Sequence, residues 1–433
     1  MGAQFRHRLV VSKYSQDLSA MRNLVLAASL MLGARAFQIG FLSLISKTLE
    51  ADELALWAWI DSVFSLVALC ADFGLKAIAT RDIAHRVGSV SAPGVIPVRG
   101  YLAIHGFNAA VLLIVVIVLS AAQAVPNPGM SVTAVTIAAS IVGVNVVLVE
   151  WWFNGQGRLQ RSALGRLCVD GSIFLTLLVV LRWIPSLSGV AIAYALGVLV
   201  AFAVNASRFF VSTAHIATDS KNWFVRYREV MLGALPIGLG GMVAHFWFRL
   251  PTYSIGLAQP GQQAHFWMLM RLFLISTEAV GLIMLFLFPS WVRRWRANPR
   301  ELVRSVVQCA AALLGTGMLG LVLTWNFAPT ITEIYLGSSE EQSANVLQLM
   351  IVSSLGWAVG APFTTALLAR HREMKLLMLT VIAITLCGVL MYPGADSLTP
   401  IGAARSFAGS VIVYAIGAVL LFVRETRTLR TEN

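Results

Sequence analysis

Long apolar runs, separated by short polar or basic stretches, recur along the whole 433-residue chain. Each is close to or longer than the about 20 residues an α-helix needs to cross hydrocarbon. The runs predict spanning helices over residues 21–46, 53–73, 100–122, 131–154, 164–183, 187–212, 228–249, 263–290, 303–327, 343–369, 373–392 and 398–423. The chain therefore reads as an all-α integral membrane protein of about twelve transmembrane helices. The polar, amphipathic segment 212–229 divides them into an N-lobe of six spans over 1–211 and a C-lobe of six over 230–433, with 212–229 as a cytoplasmic linker. An even number of spans precedes the break, so the lobes are expected to run in the same direction around a central cavity that forms the substrate path.

The distribution of basic residues tests this count. Of the 32 Lys and Arg, all but Arg35, Lys47, Arg182, Arg249, Arg271 and Arg405 fall on one side, if the N- and C-termini are both cytoplasmic. The opposite loops 123–130, 328–342 and 393–397 contain none. One missed or invented span would break that alternation. The net charge of +12 is thus an orientation signal toward an acidic inner leaflet, and it requires no nucleic acid.

Composition agrees. Hydrophobic residues make up 58% and charged residues 12% of the chain, where a soluble domain carries about 25% charged. The basic N-terminus lacks a short apolar core with a small-residue cleavage site, so span one is the expected insertion signal. Cys70, Cys168, Cys309 and Cys387 lie singly, without metal-ligand spacing, and are expected as small core hydrophobes outside any disulfide. No P-loop, HExxH or GxSxG pattern occurs, and no long outer loop is available for chemistry, which argues against an ATPase, hydrolase, or membrane-embedded sugar polymerase or ligase.

The informative residues are the polar ones inside the spans. Arg35 lies mid-span, too deep to snorkel easily, and a guanidinium there costs about 3 to more than 10 kcal/mol unless it meets water, a counter-charge or an anionic ligand. Two readings stand: a structural ion pair with Asp61 at similar depth on span two, or a cation lining a wet cavity. Arg271 and Glu278, seven residues apart, share one face of span eight, and Arg405 lies about two turns into span twelve. With Arg249 at the rim, Arg35, Arg271 and Arg405 would form a positive chamber open toward the outer side, suited to an anionic substrate. Gln38, Asn108, Asn145, Asn205 and His245 are candidate polar lining. Asp61 and Glu278 are candidates for ion coupling or pairing. Pro236 with Gly238, Gly240 and Gly241 predicts a bend in span seven. Trp151 and Trp152 are expected as interfacial anchors, and Glu150 as the partner of Arg166.

A family resemblance rests on several stretches. Ile45-Ser46-Lys47 with Leu49, Leu56-Trp57, Asp72-Phe73-Gly74-Leu75, Arg81-Asp82-Ile83-Ala84, Trp151-Trp152-Phe153-Asn154-Gly155 before Gly157-Arg158, Phe288-Pro289-Ser290, and Leu368-Ala369-Arg370 with Lys375 resemble the Wzx-type oligosaccharide flippases. These are the polysaccharide biosynthesis proteins of the MATE-like multidrug/oligosaccharidyl-lipid/polysaccharide exporter superfamily. Ala55 stands where that family often has glycine, and Arg249-Leu250-Pro251-Thr252 replaces an acid common near the outer end of span seven. The resemblance implies a multi-pass protein of the bacterial inner membrane with two lobes, alternating access and no enzymatic activity. It also implies export of an undecaprenyl-diphosphate-linked oligosaccharide unit for O-antigen, capsule or exopolysaccharide. Membrane lipids, a polysaccharide polymerase and a chain-length regulator are the implied partners. No cofactor is expected, with protons or sodium as candidate driving ions. A lipid II flippase or a multidrug/cation antiporter on the same fold are the alternatives.

Overall fold

The computed structural model describes residues 2–87, 98–121, parts of 133–143, and residues 150–213, 223–337, 341–392 and 398–431. In these regions the chain is helical apart from short turns. The helices are α1 (Gly2–Thr48), α2 (Ala51–Asp72), α3 (Leu75–Val87), α4 (Val98–Ala121), α5 (Glu150–Gly155), α6 (Leu159–Val180) and α7 (Leu187–Thr213). They continue as α8 (Trp223–Ala258), α9 (Pro260–Ala297), α10 (Pro299–Leu336), α11 (Glu341–Ala369), α12 (Glu373–Met391) and α13 (Pro400–Thr431). Among the described residues nine helices are long and apolar enough to cross a membrane, and shorter apolar stretches occur at Ala103–Leu112 in α4 and Leu187–Val200 in α7. The span expected over 131–154 is described only in part.

Local sequence sets the helix ends. Pro260, Pro299 and Pro400 stand at first helical positions, where a missing N–H costs nothing. Asn298 caps α10 by accepting from the Glu301 backbone N–H at 3.3 Å, and Gly337 closes it with φ +79°. α10 thus runs well past its expected end, and most of the outer loop expected over 328–342 is helix. Ala328, Thr332, Tyr335 and Leu336 bury one face there, at i, i+4, i+7 and i+8.

The basic stretch after span two also folds as a helix, α3. Leu75, Ile78, Ala79 and Ile83 recur at helical spacing and bury against Trp151, Trp152, Phe153, Val230 and Ala234. Trp151 and Trp152 are core residues with 3% and 6% exposure, which corrects their expected placement as interfacial anchors. Asp72 caps α3, accepting from the Lys76 N–H at 3.1 Å.

The turn between α2 and α3 carries Phe73 at φ +41° and Gly74 at φ +77°, and it packs directly on α8. A Cβ at Gly238 would lie 2.9 Å from the Phe73 ring and carbonyl oxygen, whereas Gly240 faces open space. Gly238→Ala is therefore expected to lower stability by about 1–3 kcal/mol through overpacking, seen as a lower Tm of the purified protein. Gly240→Ala is the control, expected to leave Tm unchanged or slightly raised.

α1 packs on α6, α6 on α7, and α2 on α4; later in the chain α9 packs on α11, α10 on α11, α11 on α13, and α12 on α8 and α13. Trp247 is fully buried among Phe248, Trp357, Phe407 and Tyr414, and its indole N–H donates to Ser410 Oγ at 2.8 Å. At the end of α13, Glu425 accepts from Arg372 at 3.1 Å and pairs with Arg370 and Lys375, while Arg370 also lies over the Trp295 ring. This fixes the α11–α12 turn to the last helix. Helices of the first and second halves meet where α2 touches α8 and α9, α1 touches α9 and α10, and α3 touches α8.

Candidate functional site

The α1, α2, α6, α7, α8 and α9 helices enclose a cavity of about 370 Å³. Its charged lining is Asp61 and Asp72 of α2, Lys76 of α3, Arg166 and Asp170 of α6, and Arg271 and Glu278 of α9. Gln38, Trp57, Tyr194 and His245 add polar groups. The cavity reaches Asp72, Lys76 and Arg166, near helix ends that the charge pattern assigns to the cytoplasm. Toward the opposite end, Ser43 and Ser46 of α1 donate to the Ile334 and Tyr335 carbonyls of α10 at 3.4 and 3.0 Å. Tyr335 in turn donates to the Met268 carbonyl at 3.2 Å. The chamber expected to open outward is therefore fastened at that end in this conformation.

The candidate cations occupy more specific positions than their depth alone indicates. Arg35 is buried, pairs with Glu278 of α9, and donates to Gln38 Oε1 at 2.6 Å. Gln38 donates onward to Asp170 at 3.1 Å, and Asp170 accepts from Arg166 at 3.2 Å. Arg35 thus joins a part-buried chain of polar and charged groups, and its partner is Glu278 where Asp61 was one expected partner. Arg166 takes Asp170 one turn on, in place of the expected Glu150.

Asp61 is held by two arginines. Arg249 Nη2 donates to Asp61 Oδ2 at 3.1 Å, and Arg271 Nη2 donates to Asp61 Oδ1. Arg249 is 2% exposed and lies behind the chamber wall, which corrects its expected place at the outer rim. The reason is that α8 continues to Ala258 through Pro251, so Arg249 lies more than two turns from the helix end. Arg271 borders the cavity and lies over the Trp267 ring, 5.3 Å from its centroid.

Arg405 is exposed and does not line this cavity, another correction: Ala403, Ala404, Ser406 and Phe407 are buried and α13 turns Arg405 away from them, close enough to the helix start to snorkel. Asn108 is spent on packing. It donates to the Ala71 carbonyl at 3.3 Å and accepts from Tyr227 at 3.0 Å, tying α4 to α2 and α8. His245 faces the cavity, with its Nε2 3.3 Å from the Ser62 carbonyl. Asn145 lies outside the described residues; Asn205 lies within α7, and its side chain is not described.

The charges nearly balance. Lys76, Arg166 and Arg271 face Asp61, Asp72, Asp170 and Glu278 in the lining, and Arg35 and Arg249 behind it tip the whole set to one net positive charge. A mainly positive chamber is not what forms: acids and bases interleave. The guanidiniums are nonetheless not saturated. Arg35 Nε, Arg249 Nη1 and Arg271 Nε are buried without a hydrogen-bond acceptor, as is the Trp57 indole N–H. These atoms are themselves closed off from the chamber, and of the four residues Trp57 and Arg271 line it.

Solved structures share this arrangement of membrane-crossing helices. The chain superposes on a variant of the Vibrio cholerae MATE transporter VcmN with a TM-score of 0.74 at 15% identity, over 96% of this chain and 98% of that one. It is similar to an outward-facing multidrug resistance MATE family transporter of the MOP superfamily, with a TM-score of 0.70 at 15% identity, covering 95% of this chain and 97% of that one. A MOP-superfamily transporter from Pyrococcus furiosus, described as having a binding pocket of reversed polarity, gives a TM-score of 0.68 at 15% identity over 95% and 97% of the two chains. No protein-family model and no curated relative matches the sequence. The protein is an all-helical, multi-pass membrane protein with the fold of the MATE transporters.

Proposed function

We propose that this protein is a flippase that carries undecaprenyl-diphosphate-linked oligosaccharide units across the bacterial inner membrane for O-antigen, capsule or exopolysaccharide assembly. It works by alternating access, with two lobes, 1–211 and 230–433, rocking against one another. The observation that carries this reading is the set of three guanidiniums at the cavity, Arg35, Arg249 and Arg271, that meets two carboxylates, Glu278 and Asp61. A lipid-linked diphosphate carries about two negative charges and many acceptor oxygens, and Arg35 and Arg271 answer both needs, with Arg249 holding Asp61 behind the wall. Gln38 and His245 offer hydrogen bonds to the head group, and the polyprenyl tail remains in lipid. Arg405, outside the cavity, has no part in head-group binding.

Arg35→Ala removes one cation and leaves Glu278, which is 43% exposed at its side chain and can be solvated in the chamber. The variant is expected to insert normally and to lose at least about tenfold in export, measured as polysaccharide output or as translocation in proteoliposomes. Unimpaired export by an inserted Arg35→Ala protein overturns the reading.

A second reading, a cation antiporter, draws support from the four carboxylates Asp61, Asp72, Asp170 and Glu278 in the lining. It is distinguished by substrate: an organic cation bound in competition with sodium or protons, and indifferent to added diphosphate, favours it.

A further inference from the structure

Arg35–Glu278, Asp61–Arg249 and Asp61–Arg271 cross between the first and second halves of the chain at this cavity, and Arg271 is an arginine that the proposed substrate also needs. Asp61, on α2, is the sole carboxylate joined to Arg249 of α8 and Arg271 of α9 among the described residues, one guanidinium on each oxygen. The two arginines are not equivalent. The side chains of Asp61 and Arg249 are each 3% exposed, whereas that of Arg271 is 22% exposed and borders the chamber. Trp267 lies beneath the Arg271 guanidinium and holds it in place independently of the carboxylate.

We propose that Asp61 is a resident competitor for the substrate: an anionic group arriving in the chamber takes its place at Arg271, while Arg249 keeps Asp61, and this exchange unfastens α2 from α9. The inference rests on the anionic-substrate reading above and adds its gate. Its chemistry follows from the count of charges. One carboxylate between two guanidiniums leaves a single positive charge, and a phosphate oxygen at Arg271 neutralises it. Stripping one partner from a buried ion pair strands a charge at high cost. Here no charge is stranded, because Asp61 remains bonded to Arg249 throughout. The second arginine is what makes the exchange feasible in a sealed wall.

The coupling has a direction. With the α2–α9 bridge intact, the Ser43 and Ser46 bonds to α10 close the far end of the chamber. Occupation of Arg271 by the ligand removes a bond that favours this closed arrangement, so ligand binding and opening assist one another reciprocally.

The test uses the full chain in nanodiscs with the four native cysteines replaced by alanine, Ser43→Cys and Ile334→Cys introduced for cross-linking, and pyrophosphate as the probe. Two quantities are read: pyrophosphate affinity by titration, and cross-link yield with and without it. Asp61→Asn is expected to bind pyrophosphate about tenfold tighter and to cross-link poorly even without it. Asp61→Glu, which keeps the competing charge, is expected to bind no more tightly than the parent and to report that the site is folded. In the parent, pyrophosphate is expected to lower the yield. If parent and Asp61→Asn bind pyrophosphate equally and cross-link equally, the exchange is overturned while the anionic-substrate reading stands. If neither binds pyrophosphate although Asp61→Asn cross-links less, the anionic-substrate reading fails and the exchange fails with it.

Discussion

Export by an Arg271→Ala variant falls by about a hundredfold or more relative to the parent, while its amount in the membrane stays near normal. On the proposed reading, the size follows from removing a fixed charge that meets the phosphoryl group, worth about 2–4 kcal/mol. Normal abundance follows from geometry, because Asp61 keeps its bond to Arg249 and no buried carboxylate is abandoned. Arg271→Lys restores part of the activity only, since an ammonium carries the charge without the paired donors. The check is translocation of a lipid-linked oligosaccharide into proteoliposomes, normalised to inserted protein. An Arg271→Ala rate within twofold of the parent contradicts the role.

The second large effect is on stability. Asp61→Leu leaves the Arg249 guanidinium, 3% exposed at its side chain, without a counter-charge and deprives Arg271 of its own. Removing one member of a buried ion-paired set costs about 3–5 kcal/mol. The expected result is a sharply lower Tm and poor accumulation in the membrane. Asp61→Asn retains an acceptor oxygen and falls between Asp61→Leu and the parent. Asp61→Leu combined with Arg249→Leu recovers most of the loss, because the stranded charge is gone. Unchanged thermal unfolding of Asp61→Leu would show that the two arginines are solvated from elsewhere.

The helical, membrane-spanning class was legible in the sequence because hydrocarbon admits few alternatives: a long apolar run with its backbone unsatisfied must be helix. The α9 stripe was legible for a similar reason, since seven residues make about two turns and bring Arg271 and Glu278 to one face. Both do line one cavity. What sequence could not supply was which charge meets which. Asp61 lies 188 and 210 positions from its two arginines, and only packing of α2 against α8 and α9 decides that it takes them and leaves Arg35 to Glu278.

Arg249 was misplaced because the apolar run was ended at 249, whereas α8 absorbs Pro251 and runs on to Ala258. Proline inside a spanning helix is tolerated when neighbours satisfy the freed backbone. Arg405 was placed inward from depth alone, although its apolar neighbours Ala403, Ala404 and Phe407 define the opposite, packed face. Asp170 was not read as cavity lining. Its signal was present, a carboxylate four residues into an apolar stretch opposite Gln38, but the link to α1 is again tertiary. Asn108 shows the converse: a polar residue in a spanning helix satisfied entirely by packing partners.

The central claim, that buried arginines at this cavity recognise an anionic lipid head, is tested most directly by ligand charge. Binding of a short-chain prenyl diphosphate, and of the uncharged prenol of equal length, to the nanodisc-embedded protein isolates the head group from the tail. The account predicts that the diphosphate binds at least about a hundredfold tighter and that Arg35→Ala with Arg271→Ala abolishes the difference. Equal affinity for the two ligands, or a preference that survives loss of both arginines, would contradict it.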